Sequence, residues 1–126
     1  MVRELGRDYV FLPGGHVEPG EPVRDALIRE LAEELGIQAR IGPFAGVVEH
    51  AYQVADAAHH ELNLLFEVPL LPAAAHPIRS REDHLTVEWV PRDRLPQTDL
   101  RPAPLRDALL AEDPVPFWRS GFDDES

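Results

Sequence analysis

The feature that most constrains this chain is the stretch from residue 15 to residue 37, where a glycine turn runs into an acidic helix. Pro22 suits the first turn of that helix, and Gly36 suits the left-handed residue that ends it. Positions i, i+3 and i+4 of a helix project from one face. The spacing therefore brings three carboxylates together, those of Glu30, Glu33 and Glu34. An apolar arc lies beside them, formed by Leu27, Leu31 and Leu35.

Three like charges on adjacent turns are costly for a helix that has only a structural role. Each like-charged pair destabilises an isolated helix by roughly 0.2–0.5 kcal/mol, and a bound divalent cation removes the conflict. Carboxylate oxygens are ligands that Mg²⁺ accepts readily. The cluster therefore predicts a metal site, and the alternative interpretation is an ordinary solvated face of a surface helix.

The same stretch resembles the Nudix box at every fixed position. Its order is Gly, five residues, Glu, seven residues, Arg-Glu, an aliphatic, any residue, Glu-Glu, any residue, Gly and an aliphatic. The resemblance to the Nudix hydrolase family implies an α/β/α sandwich with a mixed sheet. It also implies hydrolysis of a nucleoside diphosphate linked to another moiety, by water attack on phosphorus, with Mg²⁺ or Mn²⁺.

The resemblance assigns roles within the box. Glu33 and Glu34 would be the principal metal ligands, and Glu30 a ligand or the base that orients water. The carbonyl of Gly14 would be a further ligand, and Arg29 would orient the carboxylates with its planar fork.

Two positions near the start of the box helix keep alternative interpretations. Glu21 either reaches a second metal, as in the family, or serves as a charge at the helix start. Arg29 could instead form an exposed ion pair with Asp25, four residues before it.

A further base could lie outside the box. Glu88 before Trp89 resembles the Glu-Trp pair of Nudix enzymes that cleave nucleoside triphosphates, and Glu82 resembles the loop glutamate of the nucleotide-sugar branch. Strand alternation does not decide between them, and either could be a plain surface charge. His16, directly after the glycine turn, is a candidate phosphate or sugar contact, and Tyr52 a candidate for stacking a base.

The histidines do not predict a zinc site, because they show no paired helical spacing and the chain has no cysteine. They are His16, His50, His59, His60, His76 and His84. Among the other aromatic residues, we expect Phe66 and Trp89 to pack in the core.

The chain alternates between predicted strands and two helices. Strands are predicted over residues 9–12, 16–18, 37–41, 44–52, 61–68 and 85–90, with a hairpin loop over 53–60. A long connection over 69–83 contains Pro69, Pro72 and Pro77. A single turn over 92–95 precedes a second helix over 103–111, whose buried side is predicted to carry Leu105, Leu109 and Leu110.

Both ends of the chain raise questions about packing. Residues 1–3 look like the end of a strand whose beginning is absent, which would leave a sheet edge open. Another part of the chain or a second subunit would then cover the edge, and we expect a homodimer. No element is predicted for the tail over 114–126, where Phe117 and Trp118 could pack on the domain or a partner and residues 123–126 are expected to fray.

Composition limits the class of protein. With 126 residues, 44% of them apolar, one domain over residues 1–126 is expected. The sequence shows no signal peptide and no apolar run of the roughly 20 residues that cross a bilayer, so we expect a cytoplasmic protein without a membrane partner. A net charge of −11 argues against nucleic acid as a partner, and a phosphate ligand would have to arrive with cations.

Two classes of function follow from these features. The first is a metal-dependent pyrophosphohydrolase acting on a small nucleotide substrate, because the resemblance finds every box carboxylate in place. The second is a non-catalytic module that senses a nucleotide on the same fold. An isoprenoid diphosphate isomerase would need a catalytic cysteine, which is absent. Dinucleoside polyphosphates, nucleoside triphosphates and nucleoside diphosphate sugars all remain possible substrates.

Overall fold

The computed structural model describes residues 1–69 and 80–122. Its strands are β1 (Val2–Glu4), β2 (Phe44–Val54), β3 (Ala57–Phe66), β4 (Leu85–Val87) and β5 (Phe117–Ser120). Its α-helices are α1 (Val23–Leu35) and α2 (Ala103–Leu110), and a 3₁₀ helix spans Arg92–Gln97. Residues 70–79, which hold Pro72, His76, Pro77 and most of the predicted long connection, lie outside the described residues, as do residues 123–126.

The strands form a mixed arrangement around β2. Strand β2 pairs antiparallel with β3 and parallel with β5 in a three-stranded sheet. Strands β1 and β4 pair antiparallel in a two-stranded sheet, called the small sheet below. Single bridges tie residues 9–12 into the fold, an antiparallel one from Val2 to Phe11 and a parallel one from Val10 to Leu100. The predicted α/β class with a mixed sheet is confirmed.

The core lies where β2, the 3₁₀ helix and α2 meet. Its fully buried members are Val10, Val48, Leu95, Leu100 and Leu105. Each such side chain contributes roughly 1.5–3 kcal/mol relative to leaving it in water. The core therefore holds α2 on the side of β2 that carries Val48.

Helix α1 has the predicted limits. It ends at Gly36, which has φ 66° and donates its N–H to the carbonyl of Ala32. Leu31 and Leu35 are buried as predicted, and Leu27 is half-buried. The neighbouring arc of the helix, which carries the box glutamates, lies against the glycine turn.

The second helix differs in one detail. Leu105 is buried and Leu109 packs partly on the core, but Leu110 is 39% exposed. At 3.6 residues per turn, position 110 lies about 140° around the helix from Leu105, so one buried stripe cannot contain both. The buried partner of Leu105 is Ala108.

The predicted hairpin is present, but its loop is much shorter than the predicted residues 53–60. The connection is a two-residue turn, in which Ala55 (φ 48°) and Asp56 (φ 69°) both adopt left-handed conformations. Hairpins close this way because two positive φ values match the twist of the flanking strands. The signal was missed because such turns usually carry Asn-Gly or Asp-Gly, not Ala-Asp.

The structure also corrects two predicted strands, 16–18 and 37–41, which it describes as irregular backbone. Backbone carbonyl groups that could accept hydrogen bonds from a neighbouring strand accept them from arginine side chains instead. Arg29 donates to the carbonyl of His16, and Arg24 donates to those of Ile41 and Gly42. Trp89, expected in the core, is 64% exposed and follows the end of β4.

The open edge expected at residues 1–3 is filled within the chain. Val2 lies between Val87 on one side and Phe11 on the other. Within the described ranges, β3 and β5 are the edge strands of the three-stranded sheet, and each pairs with β2 alone. The tail, for which no element was predicted, supplies β5, with Phe117 packed against the core and Trp118 55% exposed.

Candidate active site

Helix α1 carries the three box glutamates, and Arg29 joins Glu21 to two of them, Glu30 and Glu33. Its guanidinium binds Glu21 with two parallel bonds, Nε to Oε2 at 2.8 Å and Nη2 to Oε1 at 3.1 Å. Its Nη1 atom also contacts Glu30 Oε1 at 3.0 Å and Glu33 Oε2 at 3.3 Å. A planar fork can serve three carboxylates in this way, whereas the single ammonium of lysine cannot.

This network bears on the two alternatives near the helix start. The carboxylate of Glu21 is the partner of Arg29, and the guanidinium holds the pKa of Glu21 below its usual range. Among the described contacts of Arg29, an ion pair with Asp25 does not occur.

The glycine turn lies against the same carboxylates. Arg29 Nη2 donates to the carbonyl of His16 at 3.2 Å, which fastens the turn to α1. A methyl group at Gly15 would overlap the carboxylate of Glu30. Gly15 therefore leaves the space that the Glu30 carboxylate fills.

Glu34 occupies the most enclosed place in the cluster. Desolvation by burial, followed by the neighbouring charge of Glu30, raises the pKa of Glu34 to about 7. A backbone hydrogen bond from Gly14 opposes this shift, and Glu82 adds to it. The Oε2 atom of Glu34 is buried and has no hydrogen-bond partner in the described chain. A buried carboxylate oxygen left in this state is costly unless a cation or proton satisfies it.

The loop before β4 brings Glu82 to this cluster. The N–H of Arg81 donates to the carbonyl of Glu34 at 2.7 Å, at the C-terminal end of α1. Ser80 Oγ accepts from the N–H of Glu82 at 3.0 Å and shapes the loop. Glu82 is the second glutamate whose charge raises the pKa of Glu34.

Glu88 has a different neighbour. Arg3 binds its carboxylate through Nε to Oε2 at 2.6 Å and Nη2 to Oε1 at 3.4 Å, joining the segment after β4 to β1. Of the two candidate outside bases, the geometry thus places Glu82 beside the box and Glu88 in an ion pair across the small sheet.

Comparison with known proteins agrees with this geometry. A family model described as the NUDIX domain matches residues 2–110. The chain belongs to the Nudix family. This Nudix domain is 37% identical over 100 residues to the CTP pyrophosphohydrolase of Escherichia coli (strain K12), a match that covers 78% of the chain and 68% of that protein.

A second relative and one solved structure support the same assignment. Nucleoside triphosphatase NudI of Escherichia fergusonii is 34% identical over 96 residues, covering 73% of this chain and 68% of that protein. The solution structure of the E. coli ORF135 protein aligns with a TM-score of 0.59 and 32% identity, covering 90% of this Nudix domain and 81% of that chain. Together with the family match, these relatives show a Nudix hydrolase.

The residues of the Nudix box suit a hard divalent cation without forming a complete cage. In the part of the chain that is described, no group of three or more acidic or histidine side chains is arranged to hold a metal ion alone. Mg²⁺ usually takes one or two carboxylates and completes its shell with water and substrate phosphate. The unpartnered Oε2 of Glu34 beside Glu30 fits that mode of binding.

An open cleft of about 1350 Å³ runs from the glycine turn to the β2–β3 hairpin. Its lining includes both substrate-contact candidates of the Nudix domain, His16 at the turn and Tyr52 on the hairpin. The Tyr52 hydroxyl donates to Glu61 Oε1 at 2.6 Å, and Arg101 stacks over Tyr9 at 4.3 Å in the same cleft. The sequence analysis missed Glu61 and Arg101, because their position depends on strand pairing and on a loop distant in sequence.

No helix among the described residues could cross a membrane, the longest being the 13 residues of α1.

Proposed function

We propose that this Nudix domain is a divalent-metal-dependent hydrolase that cleaves the pyrophosphate linkage of a nucleoside diphosphate joined to another moiety, a nucleotide or a nucleotide sugar. Water would attack phosphorus. The observation that carries the proposal is the buried, unpartnered Oε2 of Glu34, enclosed by Glu30 and Glu82 beside the glycine turn. A buried carboxylate oxygen without a partner in the protein is best explained by a ligand that satisfies it, and a metal ion is such a ligand.

The metal, Mg²⁺ or Mn²⁺, would draw its protein ligands from Glu30, Glu33, Glu34 and the carbonyl of Gly14, one or two carboxylates at a time, with water and substrate phosphate completing its shell. When bound, it supplies neutralisation of phosphate charge and a water of lowered pKa. The chain itself has a net charge of −11 and would otherwise repel a polyphosphate. Arg29 is a positioning residue in this proposal, because its bonds to Glu21, Glu30 and Glu33 hold the carboxylates in one geometry.

Phosphoryl transfer depends mainly on positioning and electrostatics, so a rigid helix bearing carboxylates is an adequate platform. Glu30 and Glu82 are the candidates for accepting the proton of the attacking water. The charges of both raise the pKa of Glu34, whereas Glu88 is not among the groups that do so and forms an ion pair with Arg3. Glu88 stays a weaker candidate for the same role.

We expect the substrate to bind in the cleft. It is larger than the roughly 300–1000 Å³ of common ligand sites, and it starts at the glycine turn where phosphate would sit. His16 would contact phosphate or sugar there, and Tyr52 would contact the base at the other end. The names of the relatives favour nucleoside triphosphates as the first substrates to test. A homodimer stays a prediction from the sequence, although the edge that it was expected to cover is filled within the chain. A cytoplasmic location and the absence of a nucleic-acid partner also stay predictions.

The test is release of phosphate or pyrophosphate from a panel of nucleoside triphosphates, dinucleoside polyphosphates and nucleoside diphosphate sugars, with Mg²⁺ and with Mn²⁺. We expect activity that Glu33→Gln lowers by at least about a hundredfold. Glu112→Gln, which removes an exposed charge after α2, serves as the matched control and should keep wild-type activity. If no compound of the panel releases phosphate or pyrophosphate while the protein is folded and binds Mg²⁺, the hydrolase proposal is rejected. The non-catalytic module that senses a nucleotide would then be the better interpretation.

A further inference from the structure

Four polar side chains of the β2–β3 hairpin, which we call the hairpin ladder, are His50, Tyr52, His59 and Glu61, and all of them except His59 line the cleft. His50 pairs in register with Glu61, and Tyr52 with His59, so all four share one face of the sheet. The Tyr52 ring stacks on His59 at 5.0 Å with 10° between planes, and on His50 at 5.5 Å with 23°. The Tyr52 ring therefore stacks on two side chains of the protein itself, those of His50 and His59.

Glu61 is fixed at the centre of the ladder. Its Oε1 accepts from the Tyr52 hydroxyl at 2.6 Å, and its Oε2 lies 3.3 Å from His50 Nε2. These partners orient the carboxylate, whose side chain is 31% exposed and lines the cleft. An ionised carboxylate has about four acceptor positions, of which two are taken here. The remaining lone pairs are open to a donor in the cleft.

The same hairpin carries a second carboxylate with similar partners on its other face. Glu49 binds His60 Nε2 at 2.8 Å and Ser120 Oγ at 2.8 Å, and neither Glu49 nor His60 belongs to the cleft lining. Both glutamates thus pair with one histidine and one hydroxyl. They differ in position, because Glu61 lines the cleft and is within reach of a ligand there, whereas Glu49 does not line it.

We propose that Glu61 determines base specificity by accepting a hydrogen bond from the exocyclic amine of a cytosine or adenine base. This inference rests on the proposed function, because it places the phosphates at the glycine turn and the base at the hairpin ladder of the same cleft. A carboxylate accepts from the N4 amine of cytosine. Uracil and hypoxanthine present a carbonyl oxygen instead, so two acceptors would face each other.

The experiment compares matched bases in the wild type, Glu61→Gln and Glu49→Gln. We expect the wild type to prefer CTP over UTP, or ATP over ITP, by at least about tenfold in kcat/KM. Glu61→Gln should reduce that ratio about tenfold, because its amide can donate to a carbonyl as well as accept from an amine. Glu49→Gln has the same chemical change outside the cleft and should keep the wild-type ratio.

A purely structural role for Glu61 predicts a different result, an equal loss for both members of each pair. That outcome would overturn the inference while leaving hydrolysis intact, as would equal rates on both bases in the wild type. If no nucleotide is hydrolysed, the dissociation constants of CMP and UMP, and of AMP and IMP, measured by calorimetry decide the matter without turnover. An amine preference that Glu61→Gln abolishes would support the inference even though the hydrolase proposal had failed, and equal affinities would reject it.

Discussion

Two glutamates outside the box, Glu82 and Glu88, are candidate catalytic bases, and they differ in their neighbours. Glu82 is held by the Ser80 turn beside Glu34, whereas Glu88 is paired with Arg3 at the surface of the small sheet. Both glutamates resemble a catalytic residue of some Nudix branch. Their surroundings separate them, because a base must lie within reach of the metal-bound water.

We predict that Glu82→Gln lowers kcat about a hundredfold with Mg²⁺ affinity largely kept, because a neutral amide cannot accept the proton of the attacking water. Glu88→Gln should cost less than about tenfold and instead lower Tm slightly through loss of the bond to Arg3. Single-turnover rates and thermal melts of both variants provide the measurement. A hundredfold loss of kcat in Glu88→Gln, with none in Glu82→Gln, would mean that Glu88 and not Glu82 is the base.

We predict that Gly15→Ala impairs catalysis without unfolding the domain. The added methyl group meets the end of the Glu30 side chain, which can move, but only by leaving its position beside Arg29. A displacement of this kind costs roughly tenfold to a hundredfold in kcat/KM. In a double-mutant cycle with Glu30→Gln the two losses should overlap, and full additivity would show that Gly15 acts through another residue.

At the scale of elements, one ion pair holds β5 to the segment after α2. Arg119 Nε and Nη2 donate to the two carboxylate oxygens of Asp113 at 2.7 and 2.9 Å. The guanidinium holds the pKa of Asp113 below its ordinary value of 3.8. This pair fixes the strand that lies parallel to β2 and carries Phe117 to the core.

We predict an acid-dependent loss of stability from this pair. A carboxylate with a lowered pKa in the folded state stabilises the protein above its unfolded pKa of 3.8, and the contribution disappears as the pH falls through the folded value. Wild type should therefore melt above Asp113→Asn at pH 7, and the difference in Tm should shrink below about pH 4. A difference that is constant with pH would mean that packing, not charge, links the two elements.

At the scale of the whole molecule, the main feature is an excess of negative charge, part of which lies on α1. The chain has a net charge of −11, and α1 places like-charged carboxylates together with a single organising guanidinium among them. Net charge of this size opposes compaction through self-repulsion. A cation bound at the cluster should therefore stabilise the fold as well as enable the chemistry.

We predict that Mg²⁺ raises the Tm of the wild type and that EDTA reverses the gain. Binding to the native state alone adds about 2.7 kcal/mol when free Mg²⁺ is about 100 times its Kd. Glu33→Gln combined with Glu34→Gln should lose most of the shift, and NaCl at matched ionic strength should not reproduce it. An equal shift with NaCl would reduce the effect to general screening.

The sequence by itself determined the parts of this protein whose signals are local. The start and end of α1, its buried Leu31 and Leu35 and its acidic arc beside them follow from neighbours within a few residues, as do the limits of α2 to within one position. Propensity, capping and helical period act over that range. The family resemblance rests on the same contiguous stretch, which explains why it held.

The tertiary structure alone decided what depends on residues distant in the chain. It placed Val2 between Val87 and Phe11, made Phe117–Ser120 a parallel partner of β2, and brought Glu82 rather than Glu88 to the box. It also placed Glu61 in the cleft lining, whereas Glu49, on the other face of the hairpin, is not part of that lining. Strand partners and loop positions depend on long-range packing, which no short window of sequence encodes.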